Sequence, residues 1–137
     1  MKLQKRAVRI ITNSFYLSHS KPLFIKLNIL PIYQLYEYNL GIFMYSFHKQ
    51  LLPKLFDSLF IQNSDVHNYD TRSKSHLRVT YGRTHFSHTI ITYKGPILWN
   101  NLPEELKDSV SLNSLKIKLK HLLTTKFITP NISKTIS

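Results

Sequence analysis

The sequence contains no cysteine and only three glycines. Without cysteine the chain can form neither a disulfide framework nor a cysteine-containing zinc site. The glycines, Gly41, Gly82 and Gly95, are too far apart to build a glycine-rich phosphate loop. His85 and His88 offer imidazoles, but residues three apart on a strand point to opposite faces and do not converge on one ion. We therefore expect no metal ion and no cofactor in this chain.

Long apolar runs are also missing. The longest, around Tyr38 to Phe47, is interrupted by Asn39 and Ser46 and is shorter than the ~20 residues that a membrane span needs. The basic segment from Met1 to Arg9 is not followed by the apolar core of a signal peptide. These absences favour an intracellular protein, cytoplasmic or nuclear, without a membrane partner.

Acidic residues are scarce. The chain has 7 Asp and Glu against 19 Lys and Arg, a formal charge of +12. No acidic residue precedes Glu37, and none lies between Arg72 and Lys94, where there are five basic residues. Regions of one sign attract polyanions and favour contacts with phosphate backbones. RNA or DNA is therefore the first partner to expect. On composition alone, a basic surface that merely keeps a small domain in solution is the alternative.

The first half of the chain predicts helices. Apolar residues recur at helical spacing from Leu3 to Ile11, and basic residues occupy an adjacent arc. A turn is predicted at Ser20 to Pro22, and Pro31 precedes a predicted helix from Ile32 to Leu52, which Pro53 ends. This long helix is apolar around most of its circumference, so it needs burial on several sides. Either other helices of this chain cover it or a partner does.

The second half predicts a loop, a hairpin and two helices. Gln62 to Ser75 is polar and predicts a loop, whereas Leu77 to Tyr81 and Phe86 to Tyr93, with a turn at Gly82, predict a β-hairpin. Pro103 with two acids after it predicts a short helix. Ser111 is the expected cap of a final helix with an apolar stripe of Leu112, Leu115, Leu119, Leu122 and Leu123. The predicted fold is mainly α with a small β-hairpin (α+β).

The predicted organisation has four segments. Residues 1–60 form a helical segment and residues 61–75 a polar loop. Residues 76–127 hold the hairpin and the C-terminal helices, and residues 128–137 form a frayed tail.

Three motifs in fixed order resemble a known family. They are Leu-Gln-Lys-Arg-Ala-Val-Arg-Ile-Ile at 3–11, His-Asn-Tyr-Asp-Thr-Arg at 67–72, and Gly-Pro-Ile-Leu-Trp-Asn-Asn-Leu-Pro at 95–103. The same motifs, in the same order, end the reverse transcriptases of non-LTR retrotransposons of the jockey type. The resemblance spans roughly residues 3–123. It implies the thumb-side and post-thumb region of an RNA-directed DNA polymerase, with residues 1–60 thumb-like.

The resemblance also implies what the chain does not contain. The family holds two Mg²⁺ ions with an aromatic-X-Asp-Asp hairpin upstream of this region, and this sequence has no Asp-Asp pair. Its adjacent acids, Glu104 and Glu105, fit a helix start better than a metal site. We therefore expect no enzymatic activity from this chain and a missing upstream polymerase domain as one of its partners.

Candidate site residues are cations interleaved with aromatic residues. Cations can bind phosphates, and exposed rings can stack on unpaired bases. Trp99 is instead assigned to packing, because Ile97, Leu98 and Leu102 surround it in sequence. The predicted nucleic-acid-binding residues are Lys5, Arg6, Arg9, Tyr69, Arg72, Lys74, Arg78, Arg83 and Lys94.

A second interpretation belongs to a different class of protein. The chain could be a stand-alone basic helical module that binds a protein partner through the apolar faces of Ile32 to Phe47 and has no nucleic-acid function. Contiguous exposed apolar surface is a common mark of such interfaces.

Overall fold

The computed structural model describes residues 2–66 and 72–128. About 61% of these residues are helical, which confirms the mainly helical prediction. The α-helices are α1 (Lys2–Ile11), α2 (Ser20–Lys26), α3 (Ile32–His48), α4 (Ile91–Asn100), α5 (Glu104–Lys107) and α6 (Leu112–Ile128). Single turns of 3₁₀-helix lie at Lys54–Phe56, Asn63–Asp65 and Phe86–His88. Within the described ranges, no helix is long and apolar enough to cross a membrane.

The chain divides into two compact units. Unit 1 consists of Met1–Tyr38 with Ile117–Ser137, and unit 2 consists of Asn39–Lys116. Helix α1 and most of α6, which are far apart in sequence, therefore belong to the same unit. The predicted tail from 128 to 137 lies, apart from Ile128, outside the described residues.

Unit 1 is held by an apolar core and by two glutamines. Its buried side chains include Val8, Phe24, Leu30, Leu119 and Leu123. Gln4 joins α1 to the start of α3, since its Nε2 donates to the Leu30 carbonyl at 3.1 Å and its Oε1 accepts from the Ile32 N–H at 3.0 Å. The buried Gln34 Nε2 donates to the Leu123 carbonyl at 2.8 Å. These bonds fix helices from opposite ends of the sequence against each other.

The apolar residues that predicted α1 are not the residues that it buries. Val8 is 2% exposed, whereas Leu3 and Ile10 are 82% and 70% exposed. Gln4 lies one turn before Val8 on the same face, so the hydrogen bonds of Gln4 orient that face toward the core. The apolar stripe through Leu3 and Ile10 consequently faces solvent, beside the basic arc.

Helices α1, α2 and α3 all end without glycine. One residue after each helix end adopts the left-handed conformation: Asn13 after α1, Asn28 after α2 and Gln50 after α3, with φ of 48°, 52° and 55°. At the end of α3, the Gln50 N–H donates to the Phe47 carbonyl and the Leu51 N–H to the Ser46 carbonyl. This pair of bonds is a Schellman motif, in which glycine is the usual left-handed residue. Asparagine tolerates that conformation better than glutamine does.

These ends correct two predicted boundaries. Helix α3 stops at His48, before the predicted Leu52, because the Schellman motif ends it upstream of Pro53. The predicted turn at Ser20 to Pro22 is wrong, since these residues form the first turn of α2. Proline is accepted there because first-turn N–H groups have no partner within the helix.

The predicted β-hairpin is wrong. The described residues contain no strand, and residues 77–93 hold only an isolated bridge between Leu77 and Gln62, a 3₁₀ turn and the start of α4. Asn100 explains why the first predicted strand, Leu77 to Tyr81, does not form. Its Oδ1 accepts from the Leu77 N–H at 3.0 Å, and its Nδ2 donates to the Leu77 carbonyl at 2.8 Å. A side chain thus occupies the groups that a paired strand would use.

Local hydrogen bonds explain why the second predicted strand does not form. The Ser87 hydroxyl donates to the Thr84 carbonyl at 2.5 Å, and the Thr89 hydroxyl donates to the Phe86 carbonyl at 2.7 Å. Serine and threonine that bond their own backbone in this way compete with extended structure. The last residues of the predicted strand, including the β-branched Ile91 and Thr92, instead begin α4.

The motif at 95–103 begins in α4, and two of its residues, Gly95 and Trp99, have a packing role in unit 2. A β-carbon at Gly95 would stand 2.7 Å from Met44 Sδ and 3.3 Å from the Phe60 ring, closer than ordinary contact. Trp99 is 5% exposed, and its ring lies 5.3 Å from that of His48, which confirms the packing assignment. Desolvation is the main cause that lowers the pKa of His48 below its usual value.

The last two helices confirm their predictions. Helix α5 follows Pro103, and Lys107 Nζ donates to Glu104 Oε1 at 2.8 Å, a bond that lowers the pKa of the Glu104 carboxyl. The Ser111 hydroxyl accepts from the Ser114 N–H at 3.2 Å and so caps α6. The stripe of α6 is buried at Leu115, Leu119 and Leu123.

Replacing Gln50 by glycine should stabilise the fold. Because an L-residue with a β-carbon is strained in the left-handed region, we expect Gln50→Gly to raise the free energy of unfolding by about 1 kcal/mol. Gln50→Ala is the matched control, since it removes the same side chain but keeps the β-carbon, and it should give no gain. Urea denaturation of the three proteins measures the difference. Equal stability of the glycine and alanine variants would contradict the strained helix end.

Candidate nucleic-acid interface

The nine predicted site residues divide between the two units. Lys5, Arg6 and Arg9 belong to α1 in unit 1. Tyr69 lies outside the described residues, as does most of its motif at 67–72. The remaining five, all in unit 2, are Arg72, Lys74, Arg78, Arg83 and Lys94.

A concave basic surface lies along α1. It encloses about 600 Å³, and we call it the basic groove; its lining residues are Lys2, Arg6, Arg9, Ile10, Asn13, Ser14 and Tyr16. Lys2, Arg6 and Arg9 follow one another at spacings of four and three residues, which places them on one face of the helix. Lys5 is half-buried and does not line the groove.

The loop after α1 forms the other side of the basic groove. Arg9 Nε donates to the Ser18 carbonyl at 2.8 Å, and the Thr12 and Ser14 hydroxyls lie 2.8 Å apart. The Ser14 N–H donates to the Arg9 carbonyl at 2.9 Å. These bonds hold a loop on which Tyr16 is 78% exposed. An aromatic ring and three cations therefore line one concavity.

A second, more open concavity lies in unit 2. It encloses about 340 Å³ and is lined by Gln62, Ser64, Arg72, Lys74 and Ser75. Its two segments are joined through the backbone, since the Asn63 N–H donates to the His76 carbonyl and the Ser64 N–H to the Lys74 carbonyl. Asn63 Nδ2 also donates to the Ser73 carbonyl at 2.9 Å. Arg72 and Lys74 thus line the same concavity.

The other predicted cations of unit 2 are not in that concavity. Arg78 and Arg83 are exposed, and Lys94 is half-buried in α4. The Arg78 N–H donates to the Ile61 carbonyl at 2.8 Å, which fixes the backbone at this position.

Net positive charge is concentrated in unit 1. This unit carries ten of the 19 Lys and Arg but only one of the 7 acidic residues, Glu37. An anion near unit 1 therefore meets attraction with almost no opposing charge. Unit 2 carries nine basic and six acidic residues, so its field is weaker. Among the described residues, no group of three or more His, Cys, Asp and Glu could hold a metal ion.

Sequence reasoning missed two residues of the basic groove. Lys2 falls on the basic arc of α1, yet it was not among the predicted site residues. Tyr16 was missed because the loop after α1 gave no pattern, although Asn13 is a residue type that ends helices. An aromatic residue placed shortly after such an asparagine is the signal that could have found it.

Comparison with known proteins gives no further assignment. No protein-family model, no curated protein and no solved structure matches this chain.

The loop that carries Tyr16 should depend on Arg9. Arg9→Lys keeps the charge but removes the Nε–H that binds the Ser18 carbonyl, and one such hydrogen bond contributes about 1 kcal/mol. We expect backbone amides at 14–18 to exchange with deuterium about fivefold faster in this variant. Arg6→Lys, in the same groove, is the control and should leave exchange unchanged. Equal protection in both variants would contradict this role of Arg9.

Proposed function

We propose that this chain is the C-terminal, non-catalytic part of an RNA-directed DNA polymerase of the non-LTR retrotransposon type, and that it contacts template or primer nucleic acid. Two observations support the proposal. The three ordered motifs resemble the end of such polymerases over most of the chain. The basic groove, which carries the proposal, gathers Lys2, Arg6 and Arg9 around an exposed tyrosine.

The chemistry of the basic groove suits a phosphate backbone. Guanidinium groups bind phosphate oxygens in pairs of parallel hydrogen bonds, and a lysine ammonium adds a point charge. Arg9 already uses Nε for the Ser18 carbonyl, and it also lines the groove, so its terminal N–H groups are the ones left to bind phosphate. No acidic residue precedes Glu37 to oppose an anion at this helix. We therefore assign phosphate binding first to Lys2, Arg6 and Arg9.

The proposed role is positioning, and the polymerase chemistry belongs to the upstream domain. Two Mg²⁺ ions held by paired carboxylates stabilise the attacking and leaving oxygens of nucleotide transfer. This sequence has no Asp-Asp pair, so the proposal assigns those ligands to an upstream polymerase domain. Contacts with phosphate raise affinity and fix register without reading bases. A cytoplasmic or nuclear location goes with this function.

A protein-interaction module is the second candidate. The start of α3 exposes four large apolar side chains, to fractions of 58%, 47%, 42% and 46%: Ile32, Tyr33, Leu35 and Tyr36. Exposed apolar groups so close together suit a protein partner. Such binding would change little with salt, whereas phosphate binding is strongly salt-dependent.

Salt-dependent binding tests the proposal. We expect the chain to bind single-stranded RNA with an affinity that falls steeply as salt rises from 50 to 200 mM. Lys2→Ala with Arg6→Ala should weaken binding about tenfold, similarly for unrelated sequences, and lower the slope of log affinity against log salt by about 1.4. Fluorescence anisotropy at several salt concentrations measures both quantities.

The matched control removes the same charge elsewhere in unit 1. Lys26 and Lys126 are exposed and lie outside the basic groove. Lys26→Ala with Lys126→Ala should weaken binding less than threefold. If this control loses as much affinity as the groove variant, binding is diffuse and the groove has no special role. Binding indifferent to salt would favour the protein-interaction module.

A further inference from the structure

Three aromatic rings form a cluster in unit 2, outside both concavities. The Tyr81 and Tyr93 rings meet edge to face, with centroids 5.6 Å apart and an angle of 75°. The His88 ring stacks on the Tyr93 ring, with centroids 4.6 Å apart and an angle of 19°. We call these residues the ring cluster. They come from the segment that was predicted to be a hairpin.

The ring cluster is held in place by the loop between Gly82 and His88. A carbonyl can only accept, so His88 Nε2 carries a proton and donates to the Gly82 carbonyl at 3.1 Å. The Ser87 side chain occupies the space where a β-carbon of residue 82 would stand, which requires glycine at that position. The Ser87 hydroxyl in turn donates to the Thr84 carbonyl. The loop therefore fixes the rings before any ligand arrives.

Two rings of this region face solvent. Tyr81 and Phe86 are each 76% exposed. Arg78 and Arg83, three residues before and two after Tyr81, are exposed as well, and no acidic residue lies between Arg72 and Lys94. The region thus combines open aromatic faces with cations of one sign.

The neighbours of the exposed rings favour bases over a protein. A protein-docking patch is normally built from aliphatic and aromatic side chains together. From residue 78 to 89 the only aliphatic side chain is Val79, which is half-buried, and Ile90, which follows, is 39% exposed. The small polar residues of the same segment are Thr80, Thr84, Ser87 and Thr89. Isolated rings among small polar residues and arginines are the arrangement on which unpaired bases stack.

We propose that the ring cluster is a stacking site for unpaired bases of a single-stranded nucleic acid, with Tyr81 as the platform and Arg78 and Arg83 on the adjoining phosphates. The inference rests on the proposed function and adds that the nucleic acid bound at this site is single-stranded. Duplex bases are already stacked on each other and cannot offer a free face, so this site discriminates against duplex. Stacking reads no sequence, because every base has an aromatic face.

Three substitutions at Tyr81 test the proposal. Tyr81→Phe keeps the ring, Tyr81→Leu keeps apolar bulk without a ring, and Tyr81→Ala removes both. Since Tyr81 is exposed, all three should keep the thermal transition of the parent chain. Each protein is titrated with a 12-nucleotide RNA, with its DNA counterpart, and with the duplex of each sequence, at one salt concentration. A 2-aminopurine in the single strands reports stacking through loss of its fluorescence.

The expected result distinguishes the effect of an aromatic ring at residue 81 from that of apolar bulk. Tyr81→Ala and Tyr81→Leu should weaken single-strand binding about tenfold and abolish the 2-aminopurine signal, whereas Tyr81→Phe should change neither. Duplex binding should be the same for all four proteins. If Tyr81→Ala weakens RNA and DNA single-strand binding equally, the site accepts either single strand. If it weakens RNA binding more, the site is assigned to RNA.

Two results would overturn the inference, and they differ in whether the proposed function fails as well. If single strands bind in a salt-dependent manner but Tyr81→Ala changes neither affinity nor fluorescence, the stacking site is wrong and the proposed function stands. If no nucleic acid binds at any salt concentration, the proposed function fails and the stacking site fails with it.

Discussion

The shape of unit 1 depends on left-handed residues that end helices in a chain poor in glycine. Asn13 ends α1 and turns the chain so that the loop carrying Tyr16 faces the basic arc of the helix. Asn13 itself lines the basic groove, so the residue that terminates the helix is also part of the concavity. Asn28 ends α2 in the same way, after which Gln4 binds both Leu30 and Ile32 at the start of α3. The groove is therefore a consequence of how α1 ends.

Periodic patterns predicted the helices, and side-chain hydrogen bonds explain the failures. Helices α1, α3, α5 and α6 follow from apolar spacing, a proline at the start or a serine cap, all of which are local signals. The first strand of the predicted hairpin failed because Asn100 binds both backbone groups of Leu77 from a distance of 23 residues. No local pattern contains that information. Helix α4 was missed for a different reason, since its start at Ile91 and Thr92 is β-branched and by propensity favours a strand.

The first and third sequence motifs differ in where the structure places them. Gly95 and Trp99 of the third motif pack inside unit 2. The absence of a side chain at Gly95 leaves room for Met44, and Trp99 contacts His48. The first motif supplies Arg6 and Arg9 of the basic groove. Of the predicted site residues, those that line a concavity are Arg6, Arg9, Arg72 and Lys74, whereas Lys5 is half-buried and lines neither. Charge in the sequence predicts an anionic ligand, but which cations of α1 share a surface depends on how the helix ends.

Photo-crosslinking with peptide mapping tests the nucleic-acid account most directly. Single-stranded RNA containing 4-thiouridine would be bound to the chain, irradiated and digested, and the crosslinked peptides identified by mass spectrometry. The account predicts crosslinks in two segments, residues 10–26 with Tyr16 and residues 79–83 with Tyr81, and their loss at 1 M salt, where electrostatic attraction is screened. Crosslinks confined to α6, or absent at low salt, would contradict it.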